Sequence, residues 1–147
     1  MKTNRIYRAF FNMMLTESMS VGRYDLDENF IALTDGYRAY KILKSDCPLN
    51  FSRIRDFSDN DNEMPKFELS EEHKKLARTN ELFDYRYGGK HRFARKYHCD
   101  DCDVWVDDSY VEFFENPTFY GTGETAAVMV CENNATVQGI VLPVRKR

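Results

Sequence analysis

The last third of the chain is a succession of short apolar runs separated by turn-forming residues. The four runs are 104–106, 110–114, 126–131 and 136–142. The first two flank Asp107-Asp108-Ser109, and the last two flank Glu132-Asn133-Asn134-Ala135. Short apolar runs joined by polar turns are typical of antiparallel strands. This part of the sequence therefore predicts an antiparallel sheet.

The N-terminal segment predicts an amphipathic helix over 4–16. Ile6, Phe10 and Met13 recur at helical spacing, whereas Arg5 and Arg8 fall on the opposite stripe. The pattern then changes, and strands are predicted at 21–26, 30–33 and 37–42. A turn is expected between the last two strands because it contains Gly36, which adopts positive φ without strain.

The middle of the chain contains the weakest secondary-structure signals. An exposed polar connector is predicted at about 47–68, where Pro, Asp and Asn are frequent. A short helix is predicted at 70–80, because Ser70 can cap it and two acids follow in the first turn. Helical spacing of apolar residues favours another helix at 93–102, and the Gly88-Gly89 pair predicts a turn after an aromatic-rich run at 82–87. The fold class predicted is α+β, with antiparallel sheets and two to three helices.

Length and charge limit the classes of function. A chain of 147 residues suits a single domain, 1–147, and its net charge of −3 argues against coating nucleic acid by bulk charge. The basic residues are nevertheless clustered on the predicted helices. Five of them are predicted to contact DNA phosphates, because Lys and Arg bind phosphate without reading base sequence. They are Arg5, Arg8, Arg92, Arg95 and Lys96.

The four cysteines are expected to be reduced, since nothing in the sequence indicates an oxidising compartment. Cys99 and Cys102 form a Cys-x-x-Cys unit, which is half of a structural zinc site. No second pair completes it, so neither a metal nor a cofactor is expected. A small metal-binding regulatory protein centred on this pair is the alternative function.

No recognisable catalytic signature occurs, and a non-enzymatic protein is predicted. His73, His91 and His98 all lie in charged surroundings, although an active site assembled only by the fold stays open. No apolar run approaches the length needed to span a bilayer, so a soluble cytoplasmic protein is expected.

Two phrases of the sequence resemble bacterial DNA polymerase sliding clamps. Residues 32–39 read Ala-Leu-Thr-Asp-Gly-Tyr-Arg-Ala, similar to the family phrase Ala-Thr-Asp-Gly-Tyr-Arg-Leu-Ala. Residues 139–145 read Gly-Ile-Val-Leu-Pro-Val-Arg, similar to the end of the family's last domain. Between them, 93–97 looks like the helix that opens the second half of a clamp domain. The segments 104–106 and 110–117 look like the strand pair and proline that follow.

The resemblance implies a clamp-like fold, with two helices facing a central hole and antiparallel sheets outside. It implies a non-enzymatic role in DNA replication, contact with double-stranded DNA, and polymerase or clamp-loader peptides as partners. Clamp subunits contain three such domains and this chain has room for one, so a closed ring would need a homo-oligomer joined through its sheets.

Overall fold

The computed structural model describes residues 1–16, 21–47, 54–58, 64–133 and 136–146. In these described ranges the helices are α1 (Thr3–Thr16) and α2 (Asp108–Val111), and Lys44–Asp46 forms a 3-10 turn. The strands are β1 (Gly22–Asp25), β2 (Phe30–Thr34), β3 (Arg38–Leu43), β4 (Arg55–Asp56), β5 (Lys74–Tyr87), β6 (Lys90–Cys99), β7 (Cys102–Asp107), β8 (Pro117–Gly121), β9 (Val128–Glu132) and β10 (Val137–Val141). Within the described residues, they form one sheet in the order β4-β1-β2-β3-β10-β9-β8-β5-β6-β7. All pairs are antiparallel except β1 with β4, so the molecule is α+β, as predicted.

The same supersecondary unit occurs twice, although no repeat is visible in the sequence. Helix α1 is followed by the antiparallel meander β1-β2-β3, and α2 is followed by the meander β8-β9-β10. The third strands of the two units pair with each other, β3 against β10. Both helices contribute to one apolar core, so they lie on the same face of the sheet. The two units are therefore topologically equivalent and meet at β3 and β10, and β4 to β7 lie outside both of them.

The two faces of the sheet have different roles. Alternate residues of a strand point to opposite faces. In β2, Ile31 and Leu33 pack in the main core with the helices, whereas Ala32 belongs to a second, smaller cluster with Tyr24 and Phe57. The helix-covered face thus carries most of the apolar burial that stabilises the fold.

Two of the predicted helices are strands, and these predictions were wrong. Residues 74–76 pair with β8, and residues 77–78 and 82–87 pair with β6, which places most of the predicted helix 70–80 in β5. Most of the predicted helix 93–102 lies in β6, between β5 and β7. Cross-strand hydrogen bonds and the aromatic side chains of this region outweigh the local helical spacing. The turn predicted at Gly88-Gly89 is confirmed as the connection of β5 to β6, with both glycines at positive φ.

A strand predicted at 110–114 was also wrong, because α2 begins directly after β7. The carboxylate of Asp107 caps this helix by accepting a hydrogen bond from the backbone N–H of Ser109 at 2.8 Å. Tyr110, Val111 and Phe113 are then buried against the sheet. The aromatic and apolar run 110–114 therefore forms part of a single helical turn and the segment that follows it.

Among the remaining elements, β4 and β8 were not predicted, and the others follow the sequence prediction. Seven elements lie within a few residues of their expected positions: helix α1 and strands β1, β2, β3, β7, β9 and β10. Much of the predicted connector, 48–53 and 59–63, lies outside the described residues. In the part of the chain that is described, neither helix has the length and apolar character to cross a membrane.

Close packing across the sheet makes Gly139 a sensitive position. A Cβ atom there would overlap the Phe114 ring, which lies in the main core. We expect Gly139→Ala to lower the free energy of unfolding by about 1–3 kcal/mol, the usual cost of overpacking a core. Urea denaturation followed by circular dichroism measures this change. Gly123→Ala is the matched control, because a Cβ there meets nothing within 4 Å; equal effects of the two substitutions would contradict the packing described here.

Candidate functional site

The Thr-Asp-Gly-Tyr-Arg phrase is a tight turn that holds a buried ion pair. Thr34 Oγ1 accepts a hydrogen bond from the Gly36 N–H at 3.0 Å, and Gly36 takes a φ of 91°. Asp35 Oδ1 accepts from the N–H groups of Tyr37 and Arg38 at 3.0 and 3.1 Å. Its other oxygen, Oδ2, accepts from Arg38 Nε at 3.0 Å. Every residue of the phrase therefore has a structural task in this turn.

The Arg38 guanidinium lies between the sheet and both helical segments. It is 8% exposed and stacks over the rings of Tyr110 and Phe10, with its Cζ 4.7 and 5.2 Å from their centroids. Its Nη1 donates to Tyr40 Oη at 3.5 Å, and that hydroxyl donates to the Tyr110 carbonyl at 2.6 Å. Burial alone would lower the pKa of Arg38, but the phenol of Tyr40 and the carboxylate of Asp35 outweigh it, and the pKa lies above its ordinary value. The guanidinium thus stays charged inside the core.

A cleft of about 820 Å³ opens beside this turn, on the face of the sheet opposite the helices. The described residues that line it are Tyr24, Thr34, Asp35, Gly36, Tyr37, Arg38, Ala39, Arg55, Phe57, Met64, Pro65, Lys66, Ala127, Met129, Ile140 and Leu142. Most of these side chains are apolar, and Leu142 and Tyr37 are 42% and 40% exposed. Arg55 and Lys66 supply two exposed cations. A cleft of this kind suits a ligand with apolar side chains and a negative charge.

Sequence reasoning identified the turn but missed the cleft. Met129 and Ile140 are on the opposite face of β9 and β10 from the core residues Val128, Val130 and Val141. The signal available in the sequence was that Met129 and Ile140 are apolar although they alternate with the core residues of their strands. Such a pattern indicates that both faces of a strand are covered or available for binding.

The five basic residues predicted to bind phosphate lie on two different elements. Arg5 and Arg8 are exposed on α1. Arg5 Nη2 contacts Glu112 Oε1 at 3.3 Å, and the two side chains are 51% and 47% exposed. Exposed ion pairs of this kind stabilise a protein by about 0–1 kcal/mol, so Glu112 is easily displaced. No ion pair of Arg8 occurs within the described residues.

Arg92, Arg95 and Lys96 lie on β6 rather than on one face of a helix, and each contacts a carboxylate. Arg95 makes a two-pronged contact with Asp108, at 2.8 Å for both hydrogen bonds. Arg92 Nη1 lies 3.3 Å from Asp107 Oδ2, and Lys96 Nζ lies 3.3 Å from Asp103 Oδ2. The hydrogen bond that Arg95 donates to Asp108 raises the pKa of Arg95, and the one that Lys96 donates to Asp103 raises the pKa of Lys96. A phosphate at these three cations would have to replace an existing carboxylate.

Cys99 and Cys102 face each other at the end of the β6–β7 hairpin, with their sulfur atoms 3.2 Å apart. His98 points to the other side of the hairpin, where its Nδ1 lies 2.6 Å from Asp103 Oδ1. Among the described residues, no group of three or more His, Cys, Asp or Glu side chains is arranged to hold a metal ion.

No protein-family model matches the chain, and no curated protein or solved structure is significantly similar to it.

The buried ion pair beside the cleft makes a strong prediction about stability. We expect Arg38→Ala to lower the free energy of unfolding by about 3–5 kcal/mol, because it leaves the Asp35 carboxylate buried without its partner. Urea denaturation of the variant and the wild type measures the difference.

The exposed Arg86 provides the control, and Arg86→Ala should change stability by less than about 0.5 kcal/mol. The double substitution Asp35→Asn with Arg38→Met should recover part of the loss, since it removes both charges. Equal stability of Arg38→Ala and Arg86→Ala would disprove the role given to this ion pair.

Proposed function

We propose that this protein is a clamp-like, non-enzymatic binding module associated with DNA replication. Its cleft beside residues 34–39 binds a short apolar peptide segment of a replication protein. The observation that carries the proposal is the position of the cleft, where the two repeated units meet. One wall comes from the β2–β3 turn of the first unit, and the other from β9 and β10 of the second.

The architecture supports the clamp-like part of this proposal. The resemblance to sliding clamps implies two helices on one side and antiparallel sheets on the other. The feature that supports it is a pair of helices on one face of the sheet, the long α1 and the single-turn α2, each followed by a three-stranded meander. The phrases at 32–39 and 139–145 that carry the resemblance lie together, since β3 and β10 are neighbours in the sheet. A homo-oligomeric ring stays a prediction; the peptide-binding role needs only one copy.

The chemistry of the cleft supports a peptide as its ligand. Its apolar floor can bury one or two hydrophobic side chains, whose transfer from water supplies the binding free energy. Arg55 and Lys66 favour an acidic residue or a free carboxylate in the same segment. The buried turn at Asp35 and Arg38 holds one wall rigid, so little conformational entropy is lost when a peptide binds.

DNA contact is the second part of the proposal, and we assign it to Arg5 and Arg8. Both lie on α1, on the opposite side of the sheet from the cleft, so a peptide and a DNA duplex would not compete for space. Arg92, Arg95 and Lys96 are less suited to this role than the sequence suggested, because they are already paired with acids.

An array of overlapping peptides from bacterial replicative polymerase and clamp-loader subunits tests the first part. We expect the wild type to bind a small set of apolar, acidic peptides. Leu142→Asp should weaken that binding by about tenfold or more, because it places a charge beside the apolar floor. Fluorescence polarisation of the selected peptides gives the dissociation constants.

Leu82→Asp is the matched control, since Leu82 is 47% exposed and does not line the cleft. It should leave peptide binding unchanged. The peptide proposal fails if no peptide is selected, or if Leu142→Asp binds the same peptides as tightly as Leu82→Asp does.

Salt dependence of duplex DNA binding tests the second part. For the double variant Arg5→Gln with Arg8→Gln, we expect the slope of log K against log salt to be less negative by about 1.8, the value for two lost phosphate contacts. Arg55→Gln on the opposite face should leave the slope unchanged. If the wild type and the double variant have the same slope of log K against log salt, Arg5 and Arg8 do not contact DNA phosphates.

A further inference from the structure

Cys99 and Cys102 are cross-strand partners in the β6–β7 ladder, separated only by Asp100 and Asp101. Directly opposite residues in an antiparallel ladder have Cα atoms about 4.5–5.5 Å apart, which is within the range that a disulfide spans. The sulfur atoms are already 3.2 Å apart. Only small side-chain rotations separate the two thiols from a covalent bond.

The surroundings favour thiol chemistry over metal binding at this pair. The described residues supply no third ligand, and the nearby His98 ring points away and is bonded to Asp103. A cleft of about 540 Å³ adjoins Cys99, lined also by Lys74, Lys75, Leu76, Ala77, His98, Asp100 and Asp101. Cys102 does not line it. A small disulfide in this cleft would therefore lie beside Cys99 rather than Cys102.

We propose that Cys99 and Cys102 form a reversible dithiol–disulfide site that exchanges with small disulfides of the glutathione type. The Cys99 thiolate attacks one sulfur of glutathione disulfide, the glutathione S–S bond breaks, and one glutathione leaves as its thiolate. Cys102 then attacks the sulfur of Cys99 and expels the second glutathione. The two cysteines lose two protons and two electrons, and glutathione disulfide is reduced to two molecules of glutathione.

The assignment of the two roles agrees with the electrostatics of the pair. Burial, with a smaller contribution from Cys99 and the acids nearby, raises the pKa of the Cys102 thiol to about 11. Little Cys102 thiolate therefore exists at neutral pH, which makes it a poor first nucleophile. It is suited to the second step, because the mixed disulfide on Cys99 is held beside it and proximity offsets the small thiolate fraction.

The experiment is incubation of the reduced full chain with glutathione disulfide, followed by acid quenching, alkylation in denaturant and mass spectrometry. We expect two of the four thiols to become protected from alkylation, with a peptide map that links Cys99 to Cys102. Dithiothreitol should restore both thiols. This map needs no substitution, so it stays decisive even if a cysteine variant fails to fold.

Single substitutions separate the two roles. Cys102→Ser should stop after the first step and accumulate one glutathionyl group on Cys99. Cys99→Ser should react more slowly than Cys102→Ser, and Cys47→Ser should behave as the wild type. The proposal is overturned if the wild type keeps four alkylatable thiols, or if the protected thiols belong to Cys47 or Cys131.

Discussion

The buried ion pair of Asp35 and Arg38 connects the parts of this molecule. A guanidinium cannot be buried without partners, and here the partners come from three different segments. Asp35 holds it from the turn, Phe10 covers it from α1, and Tyr110 covers it from α2. The hydroxyl of Tyr40 joins the same group and reaches the backbone of α2. Removing this cation would take a contact away from both helical segments at once.

The same turn also shapes the opposite face of the sheet. Because side chains alternate along β2 and β3, the turn contributes Arg38 to the core and presents Tyr37 and Ala39 to the cleft. The second repeated unit completes that cleft through β9 and β10. Packing on one face thus fixes the geometry of the cleft on the other.

The sequence predicted secondary structure best in segments whose residues favour one type of element only. The amphipathic helix α1 and the strands around Gly36 are local features, and each segment contains the residues that specify it. The prediction was wrong in β5 and β6, where cap-like residues at Ser70 and helical spacing at Phe93 competed with cross-strand pairing. The start of β5 pairs with β8, which is distant in sequence, and β6 pairs with its neighbours β5 and β7 in two hairpins. In both cases the hydrogen bonds depend on a second strand, so they cannot be read from one strand by itself.

For the candidate sites too, the sequence showed the local features and the structure showed the contacts between distant segments. The basic residues were visible in the sequence, but their carboxylate partners were not, and Arg95 with Asp108 is the clearest case. The cleft was hidden because its walls are separated by about a hundred residues of chain. The Cys99 and Cys102 pair was visible as a spacing, yet only the hairpin brings its sulfur atoms together.

By itself, the sequence determined the α+β class, the first helix, the Thr-Asp-Gly-Tyr-Arg turn and the uneven distribution of charge. These properties depend on side-chain periodicity and on the conformational preferences of neighbouring residues. Only the tertiary structure decided the sheet order, the pairing of cations with acids and the existence of the cleft. Those features depend on which distant segments meet, and that is determined by the packing of the whole chain.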